Sequence, residues 1–261
     1  MADLAAARHI ISAVKPDIVF HLAGSVGASP DLALVIPTFQ SLLASAINVL
    51  VAGTEVGCRR IILIGSLTEP NIYDAATPQA PYAAAKWAAS GYGRMFHDLY
   101  QTPVVILRPF MVYGPGQATD KLIPAVIMSL LGGESPALSG GNLKSDWVYI
   151  SDVIDGFVAA IAAPGLEGKT IDLGSGRLVT MRDVVGRLAG IVGSDIMPVF
   201  GAMPTRPGEN VAIADTKLAA TLLGWRATTS IEDGLRQTVE WYKTCGRVAL
   251  TLNDREPLSR A

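Results

Sequence analysis

IILIGSLTEPNIYDAATPQAPYAAAK, residues 61–86, is the stretch from which the fold can be read. The apolar run Ile61-Ile62-Leu63-Ile64 reads as a buried strand. It stops at Gly65-Ser66, which leaves the Ser66 hydroxyl at the strand's carboxyl end. Ligands of open α/β sheets bind at that edge. Pro81 opens the following helix, where its missing N–H costs nothing. Tyr82 and Lys86 stand four residues apart and so share one face of that helix. A hydroxyl, a phenol and an ammonium can therefore converge. A neighbouring ammonium favours the phenolate and is expected to lower the Tyr82 pKa, which would suit Tyr82 to carry a proton near neutral pH. Taken singly, neither Ser66 nor Tyr-x-x-x-Lys is specific, because many solvated helix faces carry the same spacing. The order strand, Ser, loop, Pro-Tyr-x-x-x-Lys and a second strand ending at Arg108-Pro109 is far more restrictive.

Composition narrows the function classes. The chain has 261 residues, 50% of them apolar, enough for one large domain or two small ones. A formal charge of −2 without a basic block does not suggest nucleic acid. No stretch reads as the roughly 18–20 apolar residues of a membrane helix, and MADLAAARHI at the start has no signal-peptide core. Cys58 and Cys245 fit no metal spacing, and His9, His21 and His97 are scattered, so no metal site is expected. Two reduced cysteines suit a cytoplasmic protein.

Working outward, Asp3 to Val14 has one apolar face (Leu4, Ala7, Ile10, Ile11, Val14) and reads as a helix ending at Lys15-Pro16. DIVFHL, residues 17–22, is a strand closed by Ala23-Gly24, with His21 as a packed strand residue. Pro37 to about Val56 is a long apolar helix, and Thr102 to Leu107 is the next strand. Gly114-Pro115-Gly116 is a turn taken as the crossing into a smaller lobe. Lys121–Leu131 is a helix of that lobe, and Trp147–Ile150 a short strand. Asp152–Ala162 is a helix returning to the main domain, whose last strand is Thr170–Leu173. Thr180, with Asp183 three residues later, caps a helix running to about Val192. Asp215–Leu223 and Ile231–Thr244 close the chain, with Trp225 packing the lobe. The tail from Thr251 is charged and carries a proline, the composition of a mobile segment.

These pieces resemble the extended short-chain dehydrogenase/reductases, the NAD-dependent nucleotide-sugar epimerases, dehydratases and ketoreductases. The matching segments are PDIVFHLAG (16–24), GCRRIILIGS (57–66), PYAAAK (81–86), VVILRPFMVYGPGQ (104–117), SDWVYISDV (145–153), IDLGSG (171–176), RPGEN (206–210) and LGW (223–225). They fall in the family's order over nearly the whole chain. The resemblance implies a Rossmann-like doubly wound parallel sheet (residues 1–115 and 146–176) with a small α+β substrate lobe (116–145 and 177–250). It implies Ser66, Tyr82 and Lys86 as the catalytic set. Ala23, Gly24, Tyr82, Lys86 and Pro109 would contact NAD or NADP, and Lys144, Arg206 and Glu209 a nucleotide-sugar substrate. It also implies a homodimer through the 37–56 and Tyr82 helices; an apolar helix equally fits a simple core.

The chain departs from the family pattern at four places. Its Asn-x-x-Gly-Thr aligns with Leu42 and Ser45-Ala46. Met111 stands where a phosphate-binding Asn is frequent, and a thioether cannot donate there. Ser145 precedes Asp146 where Arg is frequent, and Lys144 supplies charge without a bidentate fork. Ser66 is followed by Leu67-Thr68 where dehydratases carry Asp-Glu, and Glu69 comes one position late, so a one-residue slip would turn it to the other face. Epimerisation through a transient 4-keto sugar is therefore the expected reaction. Ketoreduction and a non-catalytic binding or dimerisation module remain alternatives.

A family member should open with a strand, a Gly-x-x-Gly-x-x-Gly turn that lets backbone N–H groups meet the pyrophosphate, and two further strands. None of the 261 residues forms that turn, and Gly24-Ser25-Val26-Gly27 follows the wrong strand. By resemblance about sixty residues of β-α units would precede Met1. The chain is accordingly expected to be a fragment or a mis-assigned start of a larger enzyme. The edge of the 17–22 strand should lie open, and NAD should bind these residues poorly on their own.

Overall fold

The computed structural model describes residues 2–27, 29–70, 77–204 and 211–244. They form two compact units.

The first unit comprises Met1–Phe110, Val153–Gly176 and Ala214–Arg226. Its sheet is parallel throughout, in the order β1 (Ile18–His21), β2 (Arg60–Ile64), β3 (Val104–Pro109), β7 (Thr170–Leu173). Parallel strands need cover on both faces, and the near-continuous apolar runs of β2 and β3 answer that need. Ile61, Leu63, Val104 and Ile106 point to one side. There they pack with Ile11 of α1 (Leu4–Val14), with Ala46, Val49 and Leu50 of α3 (Ser45–Val56), and with Ala89 and Phe96 of α4 (Pro81–Tyr100). On the other face Phe20 stacks near Phe157 of α6 (Ile150–Ala162), and Gly156 lies against Leu173 and Trp225. β1 is an outer strand, hydrogen-bonded only to β2 among the described residues.

The cues at the helix ends act as the sequence suggests. Asp3 caps α1 by accepting from Ala6 N at 2.7 Å. Pro81 sits in the first turn of α4, and Gln101 closes that helix with φ +56°. The long apolar helix differs from expectation. It starts earlier, as a 3₁₀ turn at Leu32–Leu34 capped by Asp31, continues as α2 (Val35–Thr38), and opens into a π-helical stretch at Phe39–Ala44 before α3. Pro37 supplies no N–H, which disturbs the regular ladder at its start. Leu32–Val56 also corrects the reading that no segment is long and apolar enough to cross a membrane. It runs for 25 residues, with a most apolar window of mean hydropathy 1.8. Within this unit Ala46, Val49, Leu50 and Ala52 of that segment are buried. Only a third of the most apolar window is buried, and Leu32, Val35, Ile36 and Phe39 at the start of the segment are exposed.

The second unit comprises Met111–Asp152, Arg177–Ile213 and Ala227–Ala261. In it β4 (Met111–Tyr113) runs parallel to β6 (Lys144–Tyr149), which pairs antiparallel with β8 (Leu178–Thr180). β5 (Ala137–Leu138) pairs with β9 (Val199–Phe200). α5 (Leu122–Leu131), α7 (Met181–Val192) and α9 (Ile231–Thr244) surround a core of Tyr113, Ile123, Ile127, Trp147, Leu188, Leu235 and Tyr242.

The expected boundaries move in three places. The crossing comes at Met111, not at the Gly114 turn, because β4 already pairs with β6. Residues 146–152 belong to the second unit, because β6 continues to Tyr149. Residues 214–226 return to the first unit: α8 (Thr216–Leu223) packs beside β7, and Trp225 fills the space over Gly156 rather than packing the lobe. The tail from Thr251 lies outside the described residues.

Candidate active site

β2 delivers Ser66 to the carboxyl edge of the parallel sheet. Ser66 is buried, and its hydroxyl is near enough to the Tyr82 phenol to favour the phenolate. It also lies 2.9 Å from the Thr68 hydroxyl and accepts from Thr68 N at 3.2 Å. Lys86, one turn along α4 from Tyr82, donates from Nζ to the Ile64 carbonyl at 2.7 Å. The same Nζ lies 5.9 Å from the Tyr82 ring centroid. The three groups expected to converge do converge, on one side of a single strand end.

The electrostatics differ from the expectation that Lys86 lowers the Tyr82 pKa. Burial pushes the Tyr82 phenol above its ordinary value; the Ser66 hydroxyl opposes this, and the Glu69 carboxylate adds to it. The physical reason is the direction of Lys86, whose ammonium is bonded to a strand carbonyl. Lys86 itself is lowered, first by burial, with Glu69 pulling the other way.

In the sequence Glu69 reads only as an acid out of register. The chain turns after Ser66 instead of staying extended, and the carboxylate folds back to accept from Ser66 N at 2.7 Å. A Cβ on Gly65 would come within 2.5 Å of Glu69 Oε1, so that approach needs glycine. Ser90, buried on α4, continues the Tyr82–Lys86 stripe at the same four-residue spacing. Arg108, at the end of β3, donates from Nε to Asp172 at 2.6 Å, and Asp172 also accepts from Asp215 N.

His21 is buried, and its Nε2 lies 3.0 Å from the Ser45 hydroxyl. Burial first, and then the Lys86 charge, lower its pKa from 6.5 to about 4. A histidine depressed in the folded state stabilises fully above the unfolded pKa, and that contribution is lost as pH falls from about 6.5 to about 4. The loss should approach 3 kcal/mol, on the order of 1.4 kcal/mol per pH unit. Denaturant melts at pH 7 and pH 4.5 should show it, and His21→Gln should flatten the difference; equal pH dependence in the two proteins would refute the assignment.

The remaining expected residues are spread. Ala23 and Gly24 are exposed just past β1, and Gly24 has φ +150° with Leu42 against the place a Cβ would take. Pro109 ends β3, half-buried. Lys144 is in the second unit, exposed at the start of β6. Arg206 and Glu209 lie outside the described residues.

The family model for the NAD dependent epimerase/dehydratase family matches residues 1–174. The chain belongs to that family. A UDP-glucose 4-epimerase of Mycolicibacterium smegmatis is 28% identical over 250 residues, covering 90% of this chain and 78% of that protein. A dTDP-glucose 4,6-dehydratase of Xanthomonas campestris is 30% identical over 190 residues, covering 69% of this chain and 53% of its own. Among solved structures, a UDP-glucuronic acid 4-epimerase from Bacillus cereus in complex with UDP-glucuronic acid and NAD superimposes with a TM-score of 0.83 at 25% identity, over 92% of this chain and 80% of that one. This family uses NAD.

The residues at the β2 edge suit the nicotinamide-ribose end of such a cofactor. Lys86 carries three N–H donors and directs one to Ile64. The Tyr82 hydroxyl is beside it. The Gly-rich pyrophosphate turn has no counterpart in the 261 residues.

Proposed function

We propose that this chain carries the catalytic site of an NAD-dependent epimerase that inverts C4 of a nucleotide-activated sugar through a transient 4-keto form. The observation that carries this reading is the meeting of the Ser66 hydroxyl, the Tyr82 phenol and the Lys86 ammonium at the carboxyl edge of β2. Tyr82, as phenolate, takes the proton of the C4 hydroxyl. Ser66 donates to the same oxygen, and Thr68 holds the Ser66 hydroxyl in place. Lys86 is assigned to the nicotinamide ribose, with the Pro109 backbone and Ala23-Gly24 alongside. NAD, when bound, supplies the two-electron oxidation at C4 and its reversal. Lys144, Arg206 and Glu209 are assigned to the nucleotide of the substrate.

A second reading, NAD(P)H-dependent 4-ketoreduction, draws support from the raised Tyr82 pKa. A phenol that keeps its proton at neutral pH is set to donate it to a ketone oxygen. The two readings separate in one experiment. The protein, and the same protein extended upstream by any Gly-rich segment its gene encodes, is incubated with NAD and UDP-glucose, UDP-glucuronate or dTDP-glucose, and in parallel with NADH or NADPH and the 4-keto form of a nucleotide sugar, and the products are resolved by chromatography. A C4 epimer without net cofactor consumption supports the epimerase. Stoichiometric NAD(P)H oxidation with a 4-keto sugar supports the reductase. No turnover with either protein overturns both and leaves a non-catalytic module.

The reading includes a cytoplasmic homodimer. Its support is a groove of about 530 Å³ lined by Val35, Phe39, Leu43, Pro81, Ala84 and Ala88, beside exposed Ile36 and Trp87. Sedimentation equilibrium should give twice the chain mass, and Phe39→Glu should return the monomer; a wild-type monomer would refute it.

A further inference from the structure

The buried carboxylate under the site belongs to none of the roles assigned above. Glu69 is only 9% exposed. It accepts from Ser66 N at 2.7 Å in the turn after β2, while its own N–H donates to the Ser66 carbonyl at 3.1 Å. One side chain thus closes the turn that carries Ser66. Its charge is placed as tightly as its oxygens. Burial pushes the Glu69 carboxyl above its ordinary value; the Ser66 N–H and the charges of Arg108 and Lys86 oppose this, and Arg108 is already paired with Asp172. Glu69 is therefore the anion that answers Lys86. A buried ammonium whose counter-charge is removed is costly, because desolvation of the lone ion is no longer offset.

We propose that Glu69 is a positioning residue of this site, fixing the turn that carries Ser66 through its hydrogen bonds and balancing Lys86 through its charge. The inference rests on reading Ser66, Tyr82 and Lys86 as one site. It explains why a carboxylate is tolerated where the strand end is otherwise sealed by Gly65, Ile106 and the Arg108 stem. The groups facing Glu69 are Ser66 and Thr68 in its own turn, Tyr82, Lys86 and Ser90 from α4, and Arg108 from β3. His21 of β1 enters only through Lys86.

Ionised Glu69 opposes ionisation of the Tyr82 phenol, so removing the charge alone should ease it. The test is the titration of Tyr82 in protein labelled with carbon-13 at the tyrosine ring Cζ, its resonance assigned with Tyr82→Phe. No cofactor or substrate is needed, so the result stands even if the proposed reaction fails. In Glu69→Gln, which keeps an acceptor for Ser66 N, Tyr82 should titrate at lower pH than in wild type. In Glu69→Ala, which also loses the acceptor for Ser66 N, the amide resonance of Ser66 should shift as well. Where turnover is measurable, kcat should fall about 100-fold in Glu69→Ala, the cost of a misplaced reacting group, and less in Glu69→Gln. An unmoved Tyr82 titration in a folded Glu69→Gln protein overturns the proposal. Absent turnover with a shifted titration overturns the function and leaves the role of Glu69 intact.

Discussion

Replacing Tyr82 by Phe is expected to lower kcat by about 10²–10⁴-fold, the usual contribution of a positioned proton-transfer group. The ring stays, so the packing of α4 on the sheet stays with it. What is lost is one hydroxyl near Ser66, a change of about 1 kcal/mol in stability, so the melting temperature should move by only a few degrees. The pH profile carries the sign. Burial raises the Tyr82 pKa, and phenolate is the form that accepts the proton in sugar oxidation. The wild-type oxidation rate should therefore climb as pH rises toward the Tyr82 pKa, and the climb should vanish in the variant. A Tyr82→Phe enzyme that retains more than about a tenth of the wild-type rate would show that the proton leaves by another route.

Arg60→Met should be the most destabilising single change in the first unit. Arg60 is buried, and its Nη1 donates to the carbonyls of Ala160, Ile161 and Ala163 at 2.7, 3.2 and 2.9 Å. Its Nη2 pairs with Glu167. The guanidinium thus closes the C-terminal end of α6, where the helix dipole favours a cation and the last carbonyls have no intrahelical donor. Removing it leaves those carbonyls without their donor, a loss of about 3 kcal/mol. For a chain of this size that is a drop on the order of 10 °C in melting temperature. Calorimetry reads it directly. Arg60→Lys should fall between the two, because one ammonium cannot span the same carbonyls. A change under about 1 kcal/mol would mean that water replaces the guanidinium at no cost.

Much of the architecture was legible because it depends on local chemistry. Ile61–Ile64 and Val104–Leu107 are apolar runs, Thr170–Leu173 is a short segment before Gly174, and each lies in a strand of the first sheet. Thr180 caps its helix, and Ile231–Thr244 runs over the predicted residues, because caps and periodicity act within a few positions. The misses arise where distant segments meet. Trp225 could not be assigned to the first unit without knowing that Gly156 leaves a space for it. The crossing at Met111 depends on β4 pairing with β6, a strand that begins only after α5 and β5 have intervened. Arg60 shows no sign in GCRRIILIGS of the distant helix end it caps.

The site divides along the same line. That Ser66, Tyr82 and Lys86 could meet follows from one strand end, one helix start and a four-residue spacing, all of them short-range features. Their protonation states are different in kind. They depend on how much water is removed around each group and on which charges tertiary packing brings near, and spacing says nothing of either. Hence a lysine read as the partner of the phenol is found bonded to a strand carbonyl, and a glutamate read as out of register lies buried beside both.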